Sequence, residues 1–474
     1  MQIFETDYLV IGAGITGLAF VDTILTETDY TVILVDKNHK AGGHWNYAYP
    51  FVRLHQASYS YGVNSLELSK GRKEKVGINK GFDELATGDE ICAYIEELMN
   101  HKFLPSNRVK YFPLCQYIGS GKFVSYVTNE KYQVKVAKKI VDATYFGVSI
   151  PATHKPNFDV DPGVSFMPIN DIVKIRKKPS SYVVIGSGKT GVDACLWLLS
   201  NHVAPELITW ITPRDAWFYD RNNLSPKSNL EAFLNNQALQ YESLVSAKSV
   251  DHLFNLLEEK GCLVRLDKTV RPKMFRCATI NQSELDLLRK IKSIVRKGHV
   301  KRIERNQIVL EEGIIETNSD TIHIDCTGSG ASKHRNLKAI FSGNLITLQS
   351  IKQCLIPFSA SLIGYVEAYF EEDEKLKNEF CTPVIIPNED IDWLKFMATG
   401  FTNQITWSTD IKLSKWILES RLDAGFTLDF KKISTNDIKK RSLADRIRKN
   451  IFPAQQNLNK LIREIEENSE VVKL

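Results

Sequence analysis

Residues 8–25 read YLVIGAGITGLAFVDTIL, and residues 182–199 repeat the device as YVVIGSGKTGVDACLWLL. Each is an apolar strand, a glycine turn and the opening of an apolar helix. In the first, Gly12, Gly14 and Gly17 have the spacing of a dinucleotide fingerprint. Gly12 allows the tight turn, Gly14 lets backbone approach a pyrophosphate, and Gly17 lets the helix pack close on the sheet. The phosphates then meet free N–H groups at the helix start. Glycine turns between strands and helices are common, so context decides. Here the helix is followed by YTVILVDKN, whose Asp36 lies 19 residues past Gly17, where a carboxylate binds ribose hydroxyls. Asp36 and the adjoining Lys37 are read as cofactor-binding with the three glycines.

The second fingerprint is Gly186-Ser187-Gly188-Lys189-Thr190-Gly191. The strand after it, LITWIT, ends in Thr212-Pro213-Arg214 rather than in an acid. A carboxylate there would repel a 2′-phosphate, whereas a guanidinium pairs with one. The second loop therefore reads as an NADPH site. The competing reading is a duplicated scaffold with one empty site, and the base at Arg214 argues against it.

The totals restrict the classes. At 474 residues the chain predicts two or three domains, and 43% apolar with 25% charged residues is ordinarily globular. A formal charge of +5 gives no reason to invoke nucleic acid. The eight cysteines come no closer in sequence than Cys262 and Cys277, so neither a dithiol redox centre nor a zinc ribbon is expected. Scattered thiols suit a reducing compartment. The ten histidines form no HExxH-type pair, and no metal is assigned. The first strand starts close to Met1, leaving no room for a signal peptide, and no apolar run reaches the roughly 20 residues of a membrane span. A cytoplasmic protein is the expectation.

The fold class predicted is α/β, with two Rossmann-like dinucleotide-binding domains, the second inserted into the first. Residues 1–165 form the first part of the first domain. Residues 170–328 form the NAD(P)H-binding domain, with a helical insertion around 227–260. Residues 330–474 return to the first domain and end in a helical region. SIPATHKPNFDVDPG reads as the linker between the two. The tail after Asn436 reads as an amphipathic helix broken at Pro453; a solvated outer helix is favoured over a membrane-surface one.

The order of motifs resembles the class B flavoprotein monooxygenases, the flavin-containing monooxygenase group. Gly42-Gly43-His44-Trp45 looks like that family's GGxW segment, which implies FAD at the first loop and assigns Gly43 and Trp45 to the cofactor; Trp45 also reads as a plain core aromatic. DATYFG (142–147) and DCTGSG (325–330) look like its two strand-ending segments. TPRDAWFYDR (212–221) looks like its stretch after the NADPH fingerprint, which implies that Arg214 holds the 2′-phosphate and Trp217 lines the cofactor. Asn64, 19 residues past Trp45, falls where the family places an active-site asparagine; GVNS is equally turn chemistry. The resemblance implies oxygenation of a small nucleophilic substrate by O2 through a flavin C4a-hydroperoxide. The alternative is an NAD(P)H-flavin reductase or oxidase without oxygen insertion. The chain departs from the family at the linker, where GVSFMPINDIVKIRKKPSSY lacks the FxGxxxHxxxY fingerprint. Substrate and oligomeric state are not assigned.

Overall fold

The computed structural model describes residues 2–328, 336–370 and 373–471. The strand Gln2–Ile11 enters the first glycine loop, the helix Ile15–Glu27 leaves it, and the strand Val32–Val35 follows. The two strands run parallel, with Tyr8 opposite Val32 and Ile11 opposite Val35. Lys131–Asp142 flanks the first strand on its other side, and Val109–Phe112 lies beyond the second. Antiparallel pieces complete an eight-stranded sheet, which the chain leaves after Asp142 and re-enters at Phe341–Thr347.

A second sheet forms from the intervening chain. Its order is Phe166–Pro168, Thr321–Asp325, Ser181–Ile185, Ile208–Ile211, Ser293–Val295, and all four pairings are parallel. Parallel strands covered on both faces read as continuous apolar runs, which is why VVI and ITWI are so strongly hydrophobic. The α/β class expected from the two strand–loop–helix units is the architecture found. The helical insertion is also present, as Leu230–Ser246 and Val250–Glu259. The stretch read as a linker contributes a short strand, Asp159–Val160, paired with Arg302–Ile303.

The tail departs from expectation. Ile438–Val471 is one helix that runs through Pro453 instead of breaking there. An interior proline costs about 3 kcal/mol in a helix. Packing offsets that cost: Leu443, Ile447, Ala454, Leu458 and Leu461 are buried in a shared core. The Asn457 amide donates to the carbonyls of Leu244 and Ala247 at 2.7 and 2.8 Å, and Arg446 grips Glu242 with two nitrogens. The helix is a packing element whose apolar face is already occupied. Among the described residues no helix is long and apolar enough to cross a membrane. Ser329 and Gly330 of the DCTGSG segment lie outside the described residues, as do the last three residues.

Candidate functional site: a cleft between two glycine loops

The carboxyl ends of the parallel strands of the two sheets face one another across a cleft of about 1710 Å³. Ligands of open α/β sheets bind at this end because loops there expose backbone N–H groups and helix N-termini. Both glycine loops open into the cleft.

The loops share one geometry. Gly12 and Gly186 have φ of +103° and +123°, open to glycine and strained for other residues. A Cβ on Gly17 would stand 2.1 Å from the Gly12 carbonyl oxygen, and one on Gly191 would stand 2.0 Å from that of Gly186. Neither Gly17 nor Gly191 lines the cleft; each lets its helix start against the turn. Gly14 and Gly188, the middle glycines, face the cleft. A Cβ on Gly188 would meet nothing within 4 Å, so the space at that helix start is open. In the first loop, a Cβ on Gly14 would approach the Cα of Gly43 to 3.7 Å, which brings the GGHW turn against the fingerprint.

The same symmetry holds beneath the loops. Asp142 accepts the Thr144 N–H and hydroxyl at 2.8 and 2.6 Å, and Asp325 accepts those of Thr327 at the same distances. These Asp-x-Thr turns seat DAT under Gly12 and DCT under Gly186. Asp36 is buried and receives the N–H of Ala13 at 2.6 Å and of Asn38 at 2.7 Å. Burial pushes its carboxyl pKa up, and the two N–H donors oppose that. Each carboxylate oxygen keeps a lone pair for a ligand hydroxyl.

Lys37, Gly43, Trp45, Ser187, Lys189, Thr190 and Arg214 all border the cleft. Trp45 donates its indole N–H to Tyr61 at 2.6 Å and meets that ring edge-on; it borders the cleft and also packs against the core of the first unit. Trp217 also forms wall, but its ring is fully buried, stacked on Phe254, with Arg265 and Arg271 over it. Its indole N–H has no hydrogen-bond partner among the described residues. Asn64 stands apart. It sits in the turn between Gly62–Val63 and Leu66–Glu67, and its carboxamide oxygen accepts the Ser420 hydroxyl at 3.0 Å. It is not among the cleft-lining residues.

Several cleft residues escaped the sequence reading. Arg276 joins Arg214: both guanidiniums donate to the Asn388 carboxamide oxygen, at 2.9 and 3.0 Å. Burial and the charge of Arg214 lower the Arg276 pKa. Two cations sharing one neutral acceptor leave positive charge for an anion. Tyr49 donates to Asp193 at 2.5 Å, and Lys189 pairs with the other oxygen of that carboxylate. His55 receives the Thr279 N–H at 3.2 Å, while its carbonyl takes the Arg221 Nε at 3.0 Å. Arg221, the last residue of TPRDAWFYDR, is buried and pairs with Glu284 at 3.0 Å.

The expectation of scattered free thiols is corrected. Cys277 and Cys354, 77 residues apart, form a disulfide with a Cα–Cα distance of 6.3 Å, and both line the cleft. Local spacing carries no trace of such a pair, because the two cysteines come from the two different units. No group of three or more His, Cys, Asp or Glu suited to a metal ion occurs among the described residues.

Residues 10–72, which hold the first loop, Asp36 and the GGHW turn, match the NAD(P)-binding Rossmann-like domain family. The Mycobacterium tuberculosis (strain H37Rv) protein named Uncharacterized protein Rv2000 is 44% identical over 420 residues, covering 88% of this chain and 78% of that one. A solved structure of oxidized steroid monooxygenase bound to NADP is similar at 13% identity and a TM-score of 0.48, covering 77% of this chain and 86% of the other. Bacillithiol disulfide reductase from Staphylococcus aureus is similar at 12% identity and a TM-score of 0.43, covering 79% of this chain and all of that one.

Proposed function

The chain belongs to the family of the mycobacterial protein Rv2000, and for this member we propose an FAD-dependent, NADPH-using oxidoreductase that oxygenates a small nucleophilic substrate. The observation that carries the reading is the pair of matching glycine loops opening on one cleft. A chain that builds the same anion cradle twice and aims both at one space is suited to bringing two dinucleotides together.

The first cradle fits FAD. Gly14 and Gly43 present bare backbone to each other, Asp36 is positioned for ribose hydroxyls, and Trp45 and Tyr61, joined edge-on, form an aromatic wall beside them. The second fits NADPH: Gly188 leaves open space at the helix start, and Arg214 with Arg276 supplies charge for a 2′-phosphate. Bound flavin would accept electrons from the nicotinamide and pass them onward. The chain's part is to bind, orient and exclude water: Asp193 orients Lys189 and Tyr49, and Ile385, Ile386 and Phe396 give the cleft apolar wall.

A second reading, an NAD(P)H-flavin reductase or oxidase, is favoured by the placement of Asn64. The Asn64 carboxamide oxygen accepts from Ser420 and Asn64 is not among the cleft-lining residues, whereas the monooxygenase resemblance assigns its amide to the oxygen-reacting edge. Absorbance of the purified protein, followed by anaerobic NADPH and then air, tests both readings. A flavin band that bleaches and returns is expected, with oxygenated product from amine, thioether or ketone probes. Protein that takes up no FAD overturns the cofactor reading. One hydrogen peroxide per NADPH with every probe, and no oxygenated product, leaves the second reading.

A further inference from the structure

The Cys277–Cys354 pair lines the cleft, as Cys115 and Cys326 do, and differs from the other cysteines in two ways. It joins the two units: Cys277 lies in the strand Met274–Ile280, and Cys354 lies just before the helix Ile356–Tyr369. That helix packs on the first-loop helix, with Ser361 and Thr23 hydroxyls 2.6 Å apart. Finally, both cysteines sit at left-handed backbone positions, with φ of +56° and +54°. Side-chain-bearing residues adopt that region rarely and at a cost, and such residues gather at functional and switching sites.

Local structure explains the aim of each sulfur. Cys277 stands in a bulge: Trp217 pairs with Phe275 and Tyr219 with Thr279, so Arg276, Cys277 and Ala278 oppose Phe218 alone. A bulge re-aims the side chain it carries. Cys354 precedes a 14-residue helix whose N-cap residue, Leu355, makes no side-chain cap hydrogen bond. A helix N-terminus favours a thiolate, the form that exchanges electrons with disulfides. Arg276, adjoining Cys277, adds positive charge.

We propose that Cys277–Cys354 is a redox-active dithiol–disulfide centre of the cleft, reduced by the nicotinamide nucleotide through the flavin of the reading above. The proposal rests on that cofactor reading but not on oxygen insertion. In the step, the S–S bond breaks and two S–H bonds form, which takes two electrons and two protons. The reduced nicotinamide supplies both electrons and one proton and leaves as the oxidised nucleotide; solvent supplies the second proton. The resulting dithiol can reduce a disulfide substrate and re-form the bond.

Thiol counting on the full-length, FAD-loaded protein tests this. The protein is treated with NADPH without oxygen, quenched in acid, denatured, and alkylated with a mass-tagged maleimide, while the flavin absorbance is recorded in the same sample. Six of the eight cysteines should be tagged before NADPH and eight after. Cys277→Ser should give seven in both samples with flavin bleaching retained, and Cys354→Ser repeats that control from the other unit. If NADPH bleaches the flavin and the count stays at six, the bond is a structural cross-link; the proposal is overturned and the cofactor reading stands. Eight tagged thiols in protein never exposed to reductant overturn it as well. If no flavin binds or none bleaches, the cofactor reading fails and the proposal fails with it.

Discussion

Tyr49, in the segment after the GGHW turn, donates its phenol to Asp193 in the helix after the second glycine loop, at 2.5 Å. Burial and the Asp193 charge push the Tyr49 pKa well above its ordinary value, so the phenol stays protonated and remains the donor. The bond ties the first unit to the helix that the second loop opens. Lys189, at the head of the same helix, pairs with the other oxygen of that carboxylate, so Tyr49 and Lys189 share one anchor in Asp193. The two loops are thus held in a fixed relation by side chains and not only by the chain path between them.

Arg214 and Arg276 give the first prediction. Their convergence on Asn388 makes a two-cation site at the end of the strand Ile208–Ile211. A charge-assisted hydrogen bond to a phosphate contributes about 1.5–3 kcal/mol. Arg214→Ala should therefore weaken NADPH binding by about tenfold to a hundredfold and leave NADH nearly unchanged. Arg276→Ala should act in the same direction. Titration of both nucleotides by fluorescence or calorimetry checks this, and equal losses for NADH and NADPH would remove the 2′-phosphate from the argument.

The glycines separate binding from folding. Gly188 has extended backbone, φ −77° and ψ −177°, and open space where a Cβ would go. Gly188→Val should keep the fold within about 0.5 kcal/mol, as for a surface change, while filling the space a pyrophosphate would take. Gly191→Ala should do the opposite, because its Cβ would lie 2.0 Å from a backbone carbonyl oxygen. It should destabilise the protein by about 1–3 kcal/mol or more. Denaturant midpoints and NADPH binding of the two variants give the comparison; a destabilised Gly188→Val with intact binding would contradict the assignment.

What was legible in the sequence is what local spacing encodes. Both loops, Asp36, Arg214 and the α/β class follow from short-range rules, because a strand, a turn and a helix must satisfy their own backbone within some 30 residues. Cys277 and Cys354, 77 residues apart, come together only through the two-unit topology, and Arg214 and Arg276, 62 apart within one unit, through the pairing of Ala216–Asp220 with Met274–Ile280. Pro453 obeys a local rule that tertiary packing outweighs, with Ala454 and Leu458 fully buried on the same helix. Asn64 was placed by family spacing from Trp45, and spacing does not say which way a turn faces. Ser420, 356 residues further on, donates to the Asn64 carboxamide oxygen, a contact that no local spacing encodes.

The last prediction concerns acid stability and His55. Its Nδ1 accepts the Thr279 N–H, which requires that nitrogen to be unprotonated. Burial, then the charges of Lys189 and Arg221, lower its pKa to about 3. An unfolded histidine titrates near 6.5. The folded value lies below the unfolded one, so the neutral ring's contribution is fully present above about pH 6.5. It is lost as pH falls from there toward about 3, where the unfolded chain takes a proton that the fold refuses. One such group contributes a slope of at most about 1.4 kcal/mol per pH unit in that window. His55→Gln has no ring to titrate, so its urea midpoint should fall less than that of the native chain between pH 7.5 and pH 5. Proton NMR should show the His55 ring still neutral at pH 5. Parallel midpoints for the two proteins, or a ring that titrates near 6.5, would mean that His55 opens to water and that the Thr279 bond does not hold it.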